Sequence, residues 1–265
     1  MMIPLALGLA VGLILALTGA GGGILAVPLL VFGTHIGMAQ AGPIGLLAVG
    51  MAACLGAILG LRAGVVRYRA AMLVAVTGMV CSPAGLWLAR RVDNRWLSVL
   101  FAFTLLYVAF NTFGNARRKG PASPAPRPVP VCVRDAATGR FVWTRPCARA
   151  LVLSGSVAGL LSGLLGVGGG FVMVPALQRY TDLAMQSAVA TSLAVIALIS
   201  AAGVVTSAAS GGLAWGIALP FAAGALAGML GGRSLSARLS GPHLQMAFAG
   251  VSALVAAGMI VKALQ

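Results

Sequence analysis

Apolar residues gather in eight long stretches along this chain, divided by short polar connections. The stretches cover residues 3–32, 38–61, 70–89, 97–113, 150–177, 184–207, 213–230 and 244–263. A helix needs about 20 apolar residues to cross a hydrocarbon core of about 30 Å. The pattern therefore predicts an all-α polytopic membrane protein with eight hydrophobic segments. The first and fifth stretches are too long for one crossing. Thirty residues of straight helix would measure about 45 Å, and two full crossings would need about forty residues. Each of these two is expected to be a broken helix that crosses once, or a re-entrant hairpin.

The place of the break is written twice. Residues 17–28 read LTGAGGGILAVP and residues 164–175 read LLGVGGGFVMVP. Both fit the frame Gly-x-Gly-Gly-Gly-x-x-x-Val-Pro, 147 residues apart. At the same offset Met38 meets Met185, Ala41 meets Ala188, Leu46 meets Leu193, Leu97 meets Leu244 and Phe101 meets Phe248. With the offset shortened by one, Gly78 meets Gly224 and Gly85 meets Gly231. The chain thus divides into two four-segment repeats, residues 1–114 and 150–265, around an insert at 115–149. Transporters are often built from such repeats, with the substrate where they meet. A duplicated membrane scaffold, whose insert binds a partner, would show the same repeat.

Composition supports the membrane assignment. Of 265 residues, 60% are hydrophobic and 8% charged, where a soluble domain carries about 25% charged residues. The net charge of +15 does not point to nucleic acid, because the basic residues stand between the apolar stretches, where cytoplasmic loops collect them. If the broken stretches cross once, Lys and Arg divide twelve against six; if they are re-entrant, fourteen against four. The larger bias favours re-entrant hairpins, and both counts put the insert in the cytoplasm. The first stretch lacks a positive n-region and returns in mid-chain, so it is read as retained rather than cleaved.

The insert opens as a Pro-rich extended run, and residues 131–143 read as a small β-hairpin around Asp135-Ala-Ala-Thr-Gly139. Cys132 and Cys147 flank it. A disulfide between them would need an oxidising compartment, against the cytoplasmic placement.

Three successive glycines, each costing about 1 kcal/mol in a helix, argue for non-helical backbone at 21–23 and 168–170. Such backbone survives inside a membrane only in protein or beside water. Half-helices are expected to restart at Ile24 and Phe171, with Pro28 and Pro175 as hinges that end or bend them. A helix N-terminus carries partial positive charge and binds anions, and glycine lets a ligand approach the backbone. The candidate binding residues are therefore Gly21, Gly22, Gly23, Gly168, Gly169 and Gly170. Thr18, Gln40, Gln186, Ser187, Thr191 and Ser192 are candidate hydroxyl and amide partners, each of which equally suits helix packing or capping.

The acids sharpen this. Only Asp93, Asp135 and Asp182 are present, all in loops or at segment ends. No carboxylate is left to relay protons or hold a cation at mid-membrane. His35 and His243 lie in loops. No metal-ligand cluster or cofactor motif is visible, and these few groups leave little for acid–base catalysis. The expectation is a non-enzyme with a small anion and the bilayer as partners, a homo-oligomer being left open.

The paired glycine motifs ending in Val-Pro, the Ala190-Thr191-Ser192-Leu193 stretch and the eight-segment duplicated layout resemble the sulfite exporter TauE/SafE family, also called the 4-toluene sulfonate uptake permeases. The resemblance covers both halves and omits the insert. It implies a bacterial inner-membrane secondary transporter for small anions such as sulfite, sulfonates or related sulfur and organic acids, driven by ion gradients rather than ATP. One departure is that the first half reads Pro43-Ile44-Gly45 where the second has Ala190-Thr191-Ser192, so its hydroxyls are missing.

Overall fold

The computed structural model describes residues 2–18, 21–118, 131–132, 144–209, 211, 213–239, 250–259 and 261. Of the hairpin expected over 131–143, residues 133–143 lie outside the described residues, as does His243. The predicted apolar stretches are helical over most of their described residues, the exceptions being 166–169, 184 and 213–214. The helices are α1 (Met2–Thr18), α2 (Gly21–Thr34), α3 (Met38–Arg62), α4 (Tyr68–Arg91), α5 (Asn94–Arg118), α6 (Arg145–Leu165), α7 (Gly170–Tyr180), α8 (Met185–Ala209) and α9 (Trp215–Leu239). A tenth, α10 (Gly250–Met259), closes the described chain. Five helices are long and apolar enough to cross a membrane by length and composition. Large apolar side chains point outward along them and along α5, as Phe103, Tyr107 and Phe110 do. Near the end of α4 the Arg91 guanidinium lies 4.0 Å above the Trp87 ring, an aromatic–cation pair of the kind that suits a membrane–water interface.

Both long stretches break. The first breaks between Thr18 and Gly21, so that Gly21, Gly22 and Gly23 belong to α2. This corrects the expectation of a restart at Ile24. Gly22 and Gly23 let another backbone come close, which offsets their cost in the helix. A Cβ on Gly22 would collide with Leu15 of α1, and one on Gly23 would lie 2.9 Å from the Val167 carbonyl oxygen. In the second stretch residues 166–169 are non-helical and α7 restarts at Gly170. Neither proline ends its helix. Pro28 and Pro175 both lie inside, and the helices continue to Thr34 and Tyr180.

The broken pieces fold back on themselves. Gly33, near the end of α2, lies against Leu7, near the start of α1. Cys132 joins the two ends of the other pair: its amide donates to the Tyr180 carbonyl at the end of α7 (2.9 Å), and its sulfur is bonded to Cys147 in the first turn of α6. The two cysteines are thus disulfide-bonded, with Cα atoms 5.0 Å apart, where the compartment argument had set them apart.

The halves interleave. Helix α1 packs along α9, α6 packs along α4, and α3 packs along α8 at the centre. Without a hydrophobic driving force between helices in lipid, close van der Waals contact holds such pairs. The α1 contact runs through Gly8 and Gly12, whose Cβ positions are occupied by the Phe221 and Ala225 backbone. The α6 contact runs through Gly155, Gly159 and Gly163 against Val74, Gly78 and Ser82. Gly8 and Gly12 stand 147 residues before Gly155 and Gly159, a match in the sequence that the glycine triplets had overshadowed.

Candidate functional site

The two glycine segments meet at the middle of the molecule. Gly23, in the first turn of α2, faces Val167 of the second loop and Val49 of α3. Gly166 sits directly on Gly42, and its carbonyl oxygen is 2.9 Å from the Cβ position of Gly45. Gly168 lies beside Val49, halfway along α3, and beside Ile196 and Ser200 of α8. Glycine is required in this loop, because Gly166, Gly168 and Gly169 have φ of 70°, 75° and 67°, which side chains resist. Gly169 also presses on the Ala158 carbonyl of α6. Gly170 opens α7. Of the six glycines singled out, Gly23 and the 168–170 run stand at this junction, while Gly22 serves the α1–α2 crossing.

The two restarted helices differ at their N-termini. In the first half the Thr18 hydroxyl oxygen accepts from the Gly22 amide (3.2 Å) and the same hydroxyl donates to the Ile14 carbonyl (2.7 Å). Thr18 therefore caps α2. In the second half the cap residue is Gly169, with no side-chain cap. The first bonds inside α7 run from the Val172 and Met173 amides to the Gly169 carbonyl (3.2 and 3.3 Å). Amides ahead of these have no acceptor within the helix. Leu165 stands where Thr18 would be repeated, so among the described residues the second half presents a helix N-terminus without a side-chain cap to the junction.

The other polar candidates are placed elsewhere. Gln40 and Gln186 are exposed, in the first turns of α3 and α8. Thr191 is fully buried, and its hydroxyl oxygen accepts from the Arg67 amide. Ser192 is buried too and donates to the Val189 carbonyl (2.8 Å). Ser187 is half-buried and His35 exposed, the latter with φ 55° in the turn after α2. One residue at the junction was not singled out from sequence. Ser200 is fully buried and lies against both Gly50 and Gly168. Among the described residues no group of three His, Cys, Asp or Glu side chains stands together.

Apolar helices packed around a buried, glycine-lined junction define a multi-pass membrane protein, and similarity to known sequences makes the class more specific. Residues 4–259 match the family described as Sulfite exporter TauE/SafE, and the chain belongs to that family of membrane transporters. Over 263 residues, 97% of this chain and 96% of the relative, it is 25% identical to the probable membrane transporter protein YunE of Bacillus subtilis (strain 168). Over 235 residues, 87% of this chain and 82% of the relative, it is 29% identical to a probable membrane transporter protein of Xylella fastidiosa (strain Temecula1). No solved structure matches the chain.

Proposed function

We propose that the chain is a secondary transporter that moves small anions, of the sulfite, sulfonate or organic-acid kind, across the bacterial inner membrane. The observation that carries this is the uncapped N-terminus of α7 at the junction of the two glycine segments. Its free amides and the partial positive charge of the helix end are suited to an oxyanion. In a dry setting such a dipole acts through a low dielectric, where it is worth more than in water. Asp93 and Asp182 stand in the connections after α4 and α7, outside the junction, so among the described residues no carboxylate there repels an anion or replaces it.

Two repeats of four segments, with α1–α2 and α6–α7 as re-entrant hairpins, give the frame for transport. The matched contacts of α1 with α9 and of α6 with α4 support this frame, as do the two hairpins that fold back on themselves. Re-entrant hairpins also give the larger charge bias, which places the insert at 115–149 in the cytoplasm. Gating around the α3–α8 contact would then expose the junction alternately to the two sides. Transport needs both the anion site and this relative motion.

Purified protein reconstituted in liposomes tests the reading. Sulfite, methanesulfonate, acetate and sulfate are offered in turn, and uptake of each is followed with a voltage or proton gradient imposed. Saturable flux of at least one anion is expected. It should disappear in Gly169→Leu protein that still inserts and folds. Absence of flux for every anion, in vesicles containing folded protein, would count against transport of this class.

A further inference from the structure

The geometry points to Ser200 as the side-chain donor of the anion site, its hydroxyl working with the α7 N-terminus to hold one oxyanion at Gly168. This rests on the anion-transport reading above and names the residue that would give its site specificity.

Some buried hydroxyls in these helices return their proton to the preceding turn, and others, Ser82, Ser162 and Ser252 besides Ser200, have no partner; of these Ser200 is the one beside the glycine loop. Ser154 donates to the Ala150 carbonyl at 2.7 Å and Ser192 to Val189 at 2.8 Å. Ser200 does not. It is fully buried, and its Oγ has no hydrogen-bond partner. A buried polar group without a partner is costly, and in a native structure it calls for an explanation such as a ligand or water. The side chain is fixed in place: its Cβ is 2.8 Å from where Gly50 would carry one, and its Oγ is 2.9 Å from the Cβ position of Gly168. Any side chain on Gly168 would fill the space the hydroxyl faces. The other two of the three atoms nearest the Gly168 Cβ position belong to Ile196 and Val49, which offer no hydrogen bond. The uncapped helix end and the unpaired hydroxyl are independent observations, and they fall on neighbouring glycines, Gly169 and Gly168.

An oxyanion seated there would accept from the α7 amides with one oxygen and from Ser200 with another. The hydroxyl occurs in one half only, since Ala53 stands at the matching place in the first. The site is therefore single and belongs to the α7 side, as the capping of α2 by Thr18 also requires.

Thermal unfolding of the full-length protein in detergent, titrated with sulfite, methanesulfonate, acetate and sulfate at constant ionic strength, tests the assignment. Ser200→Ala should leave the midpoint without anion unchanged or slightly raised, because it removes an unpaired buried hydroxyl. It should raise the apparent Kd of the stabilising anion about tenfold or more, the loss of one hydrogen bond to a charged group. Ser200→Cys, a near match in size with a weak donor, should fall between. Ser252→Ala removes another buried hydroxyl without a partner, on α10, and should leave the anion response intact. An unchanged Kd in Ser200→Ala would overturn the assignment, as would a midpoint lowered by several degrees or loss of folding in both Ser200 variants, since either marks a structural hydroxyl. Absence of any anion response in the folded unsubstituted protein would instead sink the transport reading itself, and this assignment with it.

Discussion

The backbone amide of Arg67 donates to the Thr191 hydroxyl oxygen at 3.1 Å. This bond ties the connection between α3 and α4 to α8, across 124 residues of sequence. Arg67 is the residue just before α4, and no side chain caps that helix. Thr191→Val keeps the shape and removes the acceptor. The expected result is a loss of about 1–2 kcal/mol, read as a lowered thermal midpoint, with the shift produced by a stabilising anion kept. Loss of that shift at an unchanged midpoint would make Thr191 a ligand residue instead.

Capping at Thr18 gives a second prediction. Thr18→Val removes the oxygen that accepts from Gly22, and an N-cap of this kind is worth about 1 kcal/mol. Thermal unfolding should show that loss. Because the first half would then also present an uncapped helix N-terminus, anion binding should not weaken. A weakened anion response would move the site toward α2.

Two glycines with the same backbone conformation separate strain from collision. Gly64 has φ 67° with nothing near its Cβ position, whereas Gly166 has φ 70° and its Cβ would collide with Gly42. Gly64→Ala should cost about 1–2 kcal/mol, the penalty of left-handed backbone for an ordinary residue. Gly166→Ala should cost more, because α3 and the loop must separate, and little folded protein is expected in membranes. Equal yields and midpoints for the two variants would show that the Gly42 contact is easily relaxed.

These predictions show what the sequence made legible. Apolar stretches of spanning length leave few alternatives to helices, so the ends of α3 and α8 fell within a few residues of expectation. The repeated glycine frame marked both breaks. Where α2 restarts was not legible, because the helix penalty of Gly21–Gly23 is local while its compensation, the close approach to Leu15 and Val167, is tertiary. Pro28 and Pro175 were read as hinges that end or bend their helices, and the first alternative fails for a similar reason: a missing amide is a local loss, and packing of the helix on both sides of it outweighs that loss. The different capping of the two halves could have been read from Thr18 and Leu165 at the common offset. Ser200 could not. Serine is ordinary in membrane helices, and only the fold shows that its hydroxyl has no partner and faces Gly168.

The side of the membrane is open to cysteine chemistry. With the insert in the cytoplasm, Cys132 and Cys147 should be thiols in growing cells and close to a disulfide when extracted protein is oxidised. Both are fully buried, so a maleimide is added as the cells are lysed into denaturant, and it should then alkylate both. A bonded pair in cells lysed directly into alkylating agent would put the insert on the outer side. In extracted protein, reduction of this bond, which closes a loop of 15 residues, should lower stability by about 3 kcal/mol.

The exchange of helices between the two halves bears on how such a chain can be divided. Glycine faces on α1 and α6 find their close partners in the opposite half, on α9 and α4. A polypeptide of only half this length, with the same pattern, would leave its glycine face bare. Two copies inserted in opposite orientations could each lend a hairpin to the other and complete the bundle, at the mercy of their concentration and of a balanced topology. In the inverted-repeat arrangement proposed above, joining the halves through residues 115–149 would fix both orientation and stoichiometry within a single molecule. It would also free each half to diverge, so that one keeps a capped helix end and the other an open one.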